Sequence, residues 1–153
     1  MYGLIMRVLR VENFTCTVLR IWDHSPTMKA VRVSSPDFIR QCQPCGGDFI
    51  RCWFAHPDQP TKQVMRGYTL VDIDKRSGEF TLYFLIHEPS GPAYLWVQSF
   101  EPGDTFEASY YGSTPFDLPD PQPKGFIFIA DAAGFPYVNC LARRLTDDHA
   151  IRV

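Results

Sequence analysis

Arg66-Gly67-Tyr68-Thr69, followed by His87 after an apolar segment and then by Gly91-Pro92-Ala93 with Trp96, is the stretch on which the reading of this chain turns. It sets a guanidinium, a phenol ring and a hydroxyl side by side at a strand end, with a Gly-Pro turn opening a short helix further on. Such a set suits a flavin. An aromatic ring can pack on a flat heterocycle, a hydroxyl can bond its polar edge, and an Arg with a helix N-terminus can hold a pyrophosphate. Taken alone, Arg-x-Tyr-Thr has a plainer reading: two ordinary strand residues beside a surface charge.

Working outward, the segment reads as strands and turns. Val64 to Asp74 and Glu79 to His87 are expected to pair through the turn Lys75-Arg76-Ser77-Gly78. Pro92 to Phe100 reads as a short helix and Thr105 to Tyr111 as a strand. Upstream, strands are expected over Gly3 to Val11, Asn13 to Asp23, Lys29 to Val33 and Asp48 to Phe54. Ser35-Pro36-Asp37-Phe38 can open a helical turn, with a capping Ser or Asp and Pro in the first turn. Many short strands with evenly spaced turns point to a barrel or sandwich. The tail changes period. Asp117 to Lys124 is a Pro-rich extended linker. Gly125 to Ala130 is a continuous apolar run, as in a strand buried on both faces. Gly134 to Leu145 reads as a helix with Tyr137, Leu141 and Leu145 on one stripe, and Ala150 to Val153 as the start of another strand. One βαβ unit cannot cover both faces of its own sheet, so a homodimer or a separate partner chain is expected over residues 125–153. The alternatives are a tail folded back on the barrel, or a truncated chain.

With these pieces in order, residues 66–112 resemble the flavin-binding core of the siderophore-interacting protein family, relatives of the ferredoxin reductases. The resemblance runs through Arg66, Tyr68 and Thr69, the acidic pair Asp72 and Asp74, the strand Phe80 to His87, Gly91-Pro92-Ala93 with Trp96, and Pro102-Gly103-Asp104. It extends more weakly to Gly47-Asp48-Phe49-Ile50-Arg51 and to Phe126 through Pro136. The fold it implies is mainly β: a six-stranded antiparallel Greek-key barrel of the ferredoxin-reductase flavin-binding type, followed by a single truncated βαβ unit. The implied domains are an FAD-binding barrel at 1–116, a linker at 117–124 and a remnant of a nucleotide-binding α/β domain at 125–153. The implied function is electron transfer from NAD(P)H through FAD to a ferric siderophore. By resemblance, Arg66 contacts the flavin or its phosphates, Tyr68 packs on the isoalloxazine and Thr69 bonds its edge. His87, Gly91, Pro92 and Ala93 lie along the ribityl and pyrophosphate, with Trp96 beneath.

The sequence departs from the family where the second domain begins. Its turn reads Asp131-Ala132-Ala133-Gly134-Phe135-Pro136, and the chain stops at Val153 where a family member continues. NAD(P)H as donor is therefore doubtful, and reductase activity is expected to be incomplete in this chain alone. The alternative is a barrel scaffold that has lost reductase activity and binds another flat ligand or serves a different biosynthetic reaction.

Composition narrows the rest. The net charge of −2 makes no case for nucleic acid or an anionic membrane. No apolar run reaches the length of a membrane span, and the N-terminus lacks a signal-peptide core, so the cytoplasm is the expected location. Five cysteines without secretory context are expected as free thiols. Cys42, Cys45, Cys52 and His56 have a spacing in which a zinc site can be imagined. However, Cys52 alternates with Ile50 and Phe54 and reads as core, so no metal is expected. Cys42-Gln43-Pro44-Cys45 stays open between a redox pair and inert thiols. Trp22 and Trp53 are expected in the core, and His24, His56 and His149 in solvated positions. No catalytic residue can be assigned.

Overall fold

The computed structural model describes residues 12–56, 59–145 and 150–152. The expected strand over Gly3 to Val11, and His149, lie outside them. Seven antiparallel strands form one curled sheet, a half-barrel: β1 (Asn13–Ser25), β2 (Met28–Ser34), β3 (Phe49–His56), β4 (Gln59–Thr69), β5 (Val71–Asp74), β6 (Glu79–Leu85) and β7 (Thr105–Gly112). Their order across the sheet is β4-β3-β7-β1-β2-β6-β5. The two edge strands, β4 and β5, are consecutive in the chain.

Alternation explains which face is inside. Cys16 and Val18, Val31 and Val33, Ile50, Cys52 and Phe54, Phe80, Leu82 and Phe84, and Phe106 and Ala108 are all buried, each set spaced by two along its strand. Each fully buried Phe or Leu contributes about 1.5–3 kcal/mol of transfer free energy. Two helices close opposite ends of the half-barrel. From α1 (Pro36–Cys42), Phe38 packs against Phe14, Phe80 and Tyr110 at 5.3–5.7 Å. From α2 (Pro92–Ser99), Trp96 packs against Phe54 at 4.2 Å and Phe106 at 4.9 Å. Phe106 and Tyr110 sit toward opposite ends of β7, which fixes the helices as the two plugs.

Three expectations need correction. Val64 to Asp74 is not one hairpin arm. β4 pairs with β3, and only β5 pairs with β6. Buried Leu70 turns the chain between the edges: its N–H donates to Asp48 O at 2.7 Å and its carbonyl accepts from Gly47 N at 3.1 Å. That split gives seven strands in the sheet where six were expected. Trp22 and Trp53 are half-buried rather than core. Arg20 lies over the Trp22 ring, and Trp53 Nε1 donates to Ser109 Oγ at 2.9 Å. Ser35 precedes α1 as expected, but its hydroxyl donates to Thr15 O instead of capping the helix. The turn 75–78 forms as expected. Asp74 accepts from the N–H groups of Arg76 and Ser77, and Gly78 has φ +76°. A Cβ there would come within 2.6 Å of Pro36 Cα, so the turn admits only glycine.

The tail forms a parallel β-α-β unit from β8 (Gly125–Ile127), α3 (Phe135–Ala142) and β9 (Ala150–Arg152). β8 is shorter than the apolar run that encodes it. Ile127 and Ile129 stand 77% and 96% exposed, so the run is not buried on both faces within this chain. α3 docks on the chain reversal at Leu70: Cys140 Sγ donates to Leu70 O at 3.6 Å, and Arg143 pairs with Asp72 at 2.5 Å.

Candidate functional site

Where the tail meets the barrel, a cleft of about 630 Å³ opens, a size in the range of small-molecule and cofactor sites. Its barrel wall carries Arg66, Gly67, Tyr68 and Thr69 from β4, with Phe49 from β3 and Tyr83, Phe84 and Leu85 from β6. His87, Gly91, Ala93 and Tyr94 line the α2 end, and Ala132, Ala133, Pro136 and Tyr137 come from the tail. Six of the eight residues named from sequence therefore share one wall. Pro92 and Trp96 are not on it. Pro92 opens α2, and Trp96 sits among Phe54, Phe84, Phe100 and Phe106 beneath the helix.

The local chain explains the arrangement. Tyr68 pairs across the strands with Ile50, which is buried, and so leans toward the core; its ring lies 4.2 Å from Phe84. Burial pushes its phenol well above the usual range, against a smaller pull from the Arg66 guanidinium, so the hydroxyl stays protonated. Thr69 and Gly67 point the other way, and the Phe49 ring lies over the bare Gly67 backbone, 3.9 Å from where a Cβ would be. Arg66 is exposed and spends one nitrogen on the Met65 carbonyl at 2.8 Å. At Gly91, the N-cap of α2, nothing lies within 4 Å of a Cβ position, so the helix start is open to an approaching group.

The hydrogen-bond bookkeeping of this wall is distinctive. Among the described residues, the side chains of Thr69, Tyr83, His87, Tyr94, Thr114 and Tyr137 donate to or accept from no other group, although each lines the cleft. Among the described residues no buried polar side-chain atom is unsatisfied, so these groups face the open space. A flat, apolar-faced ligand with a polar rim and a phosphate tail fits that wall, and FAD is such a molecule.

Sequence reasoning missed Tyr83, Phe49, Tyr94, Ser113, Thr114 and Tyr137. Tyr83 was findable: strict alternation sets it on the face opposite Leu82 and Phe84, and it is half-buried between them. Tyr137 was not, because a helical stripe with Leu141 and Leu145 reads as core packing. A second cleft of about 600 Å³ lies behind Tyr137, Ser113 and Thr114. At its centre Asp48 accepts from Cys45 N at 2.8 Å, Tyr110 Oη at 2.7 Å and Ser113 Oγ at 2.7 Å. Burial alone would raise the Asp48 carboxyl, but these three donors outweigh it and hold it below the usual carboxylate range.

All five cysteines are free thiols. Cys52 is fully buried beside Phe54, as its alternation predicted, and burial drives its thiol well above the usual range. Burial likewise pushes Cys16 to about 12. Such thiols are poor nucleophiles and poor metal ligands. No group of three or more His, Cys, Asp or Glu placed to hold a metal occurs among the described residues, nor does a helix long and apolar enough to cross a membrane.

The family profile described as "siderophore-interacting FAD-binding domain" matches residues 17–109. The chain belongs to that family. It is also 30% identical over 152 residues to the mycobactin import ATP-binding/permease protein IrtA of Mycobacterium tuberculosis, covering 99% of this chain and 18% of that one. Thus it spans less than a fifth of the length of this curated relative. Among solved structures, a siderophore utilization protein from T. fusca superposes with a TM-score of 0.78 at 18% identity, over 92% of this chain and 59% of the other. Ferredoxin-NADP+ reductase from Plasmodium falciparum gives 0.62 at 14% identity, over 88% and 53%. The fold is thus the curled antiparallel half-barrel of the ferredoxin-reductase flavin-binding type.

Proposed function

We propose that the tail–barrel cleft holds FAD and that the domain passes electrons through it to a ferric siderophore. The observation that carries this reading is the concentration of unspent polar side chains around Tyr68 and the open N-terminus of α2. Tyr68 would support the isoalloxazine, with Trp96 fixing the floor from beneath. Thr69 would bond the ring edge. Arg66 and the α2 start, Gly91, Pro92 and Ala93, would hold the pyrophosphate, where guanidinium and helix-end N–H groups favour negative charge. His87, exposed beside them, would lie along the ribityl. Bound there, FAD supplies the redox chemistry, and the chain supplies binding, orientation and exclusion of water. The substrate ferric iron needs no ligand from the protein. One electron converts it to ferrous iron, which the siderophore holds weakly.

In this reading residues 1–116 form the flavin barrel, 117–124 the linker, and 125–153 the start of a nucleotide-binding α/β unit. The exposed Ile127 and Ile129 favour cover by a second copy or a partner chain, and the electron donor is supplied from outside these 153 residues. The reading keeps a cytoplasmic location for the domain. The deciding experiment is an absorption spectrum of the purified protein after addition of FAD and desalting. Retained flavin bands, followed by bleaching with a reductant and reoxidation by a ferric siderophore, are the expected result. A colourless protein would sink the reading and send the search to another flat ligand for the same cleft.

A further inference from the structure

Tyr137 stands at an unusual place. It belongs to the tail helix α3, yet it lines both clefts and is the partition between them. Its ring is seated on Gly47. A Cβ at Gly47 would lie 3.4 Å from Tyr137 Cε2 and 3.5 Å from Cδ2, and Gly47 has φ +98°, a conformation L side chains rarely adopt. The helix that carries the ring is tied to the barrel at Leu70 and Asp72. The ring is half-buried, and its hydroxyl bonds to nothing among the described residues. An aromatic side chain with fixed backing, a free hydroxyl and an exposed face on a cleft has the properties of a ligand wall rather than of a core residue.

We propose that Tyr137 is the second aromatic wall of the flavin site, contributed by the tail to complement Tyr68 on the barrel. The inference rests on the flavin reading above and deepens it: the 153 residues carry both sides of the site, and the tail unit is part of the binding machinery. Gly47 is then a positioning residue, whose left-handed backbone at φ +98° shapes the surface on which the ring lies.

The test is flavin titration of the full chain and of Tyr137→Phe, Tyr137→Leu and Tyr137→Ala, reading both Kd and the fluorescence of the bound flavin. Tyr137→Leu keeps packing volume against Gly47 should Tyr137→Ala fail to fold. Loss of the ring is expected to weaken binding about tenfold, within the range for aromatic–base stacking. The flavin that still binds is expected to fluoresce more brightly, and Tyr137→Phe is expected to match the wild type. Unchanged Kd and fluorescence in Tyr137→Leu, with wild-type binding intact, overturns the inference and leaves the flavin reading standing. So does a Tyr137→Phe variant as weak as Tyr137→Ala, which would assign the contact to the hydroxyl and not the ring. No binding by any form, wild type included, overturns the flavin reading and this inference with it.

Discussion

The two clefts differ by little in size, about 630 against 600 Å³, and share Tyr137, Ser113 and Thr114 in a common wall. Their polar groups behave differently. In the second cleft Asp48, Tyr110 and Ser113 satisfy one another, Arg143 pairs with Asp72, and Arg144 reaches the Phe116 carbonyl. In the first, Arg66, Thr69, Tyr83, His87 and Tyr94 hold most of their hydrogen-bonding capacity in reserve. Volume therefore does not separate the two; unspent donors and acceptors do, and they favour the first cleft as the proposed ligand site. The second cleft runs along the joint where the tail meets the barrel at Leu70 and Asp72, while its Asp48 network ties barrel residues to one another and stabilises instead of recognising.

The sharpest break between the two is expected at Asp48. Asp48→Ala leaves the Cys45 N–H and the Tyr110 and Ser113 hydroxyls without an acceptor, and should cost about 3 kcal/mol of stability, read from urea denaturation. The same network sets an acid limb. Because the folded carboxyl is held below its unfolded value of about 3.9, the stability it contributes is complete above that pH. It is lost as pH falls through the folded value. Asp48→Asn should flatten that limb while leaving the neutral-pH spectrum of bound flavin unchanged. An acid limb identical in wild type and Asp48→Asn would remove the network from this role.

At the first cleft the expected loss is in affinity. Tyr68→Ala should weaken flavin binding by about 1–3 kcal/mol, the range for aromatic–base stacking. The variant will also lose some stability, because the ring packs on Phe84. Isothermal titration of the folded variant separates the two effects, and unchanged affinity would show that the ring does not meet the ligand. Arg66→Ala should weaken FAD by about 1.5–3 kcal/mol, the worth of a hydrogen bond to a charged group, and riboflavin hardly at all, since its proposed partner is phosphate. Equal losses for both ligands would take Arg66 off the pyrophosphate.

The contrast between the clefts also explains what the sequence disclosed. Arg66, Tyr68, Thr69, His87, Gly91 and Ala93 were named from a short motif and the family resemblance that it carries, and the fold brings all six to one cleft. The α1 and α2 starts were legible from Pro and from Ser or Gly before it, and the inward face from strict alternation, as in Ile50, Cys52 and Phe54. What stayed hidden is long-range. Nothing near Leu70 announces that the chain changes sheet edge there, because the reversal is fixed by Gly47 and Asp48 in the distant loop before β3. Asp48 reads as the first residue of a strand until Tyr110 from β7 and Ser113 just beyond it reach its carboxylate. Tyr137 reads as core until the tail is docked.

The smallest effect should come from the ion pair that looks most like a fastener. Arg143 and Asp72 meet at 2.5 Å, but their side chains are 61% and 42% exposed, so water and salt screen the pair and ordering two long side chains offsets its gain. Arg143→Ala should therefore cost no more than about 1 kcal/mol in stability, against several times that for Asp48→Ala beside the same cleft. The comparison is best made in parallel urea titrations at low and at high salt, where the Arg143 deficit should shrink and the Asp48 deficit should persist. A large, salt-independent loss for Arg143→Ala would mean that the tail hangs on this pair more than on the burial of Cys140 and Leu141. A negligible loss, with flavin fluorescence unchanged, would leave the burial of Cys140 and Leu141 and the seating of Tyr137 on Gly47 as the forces that hold the tail against the cleft.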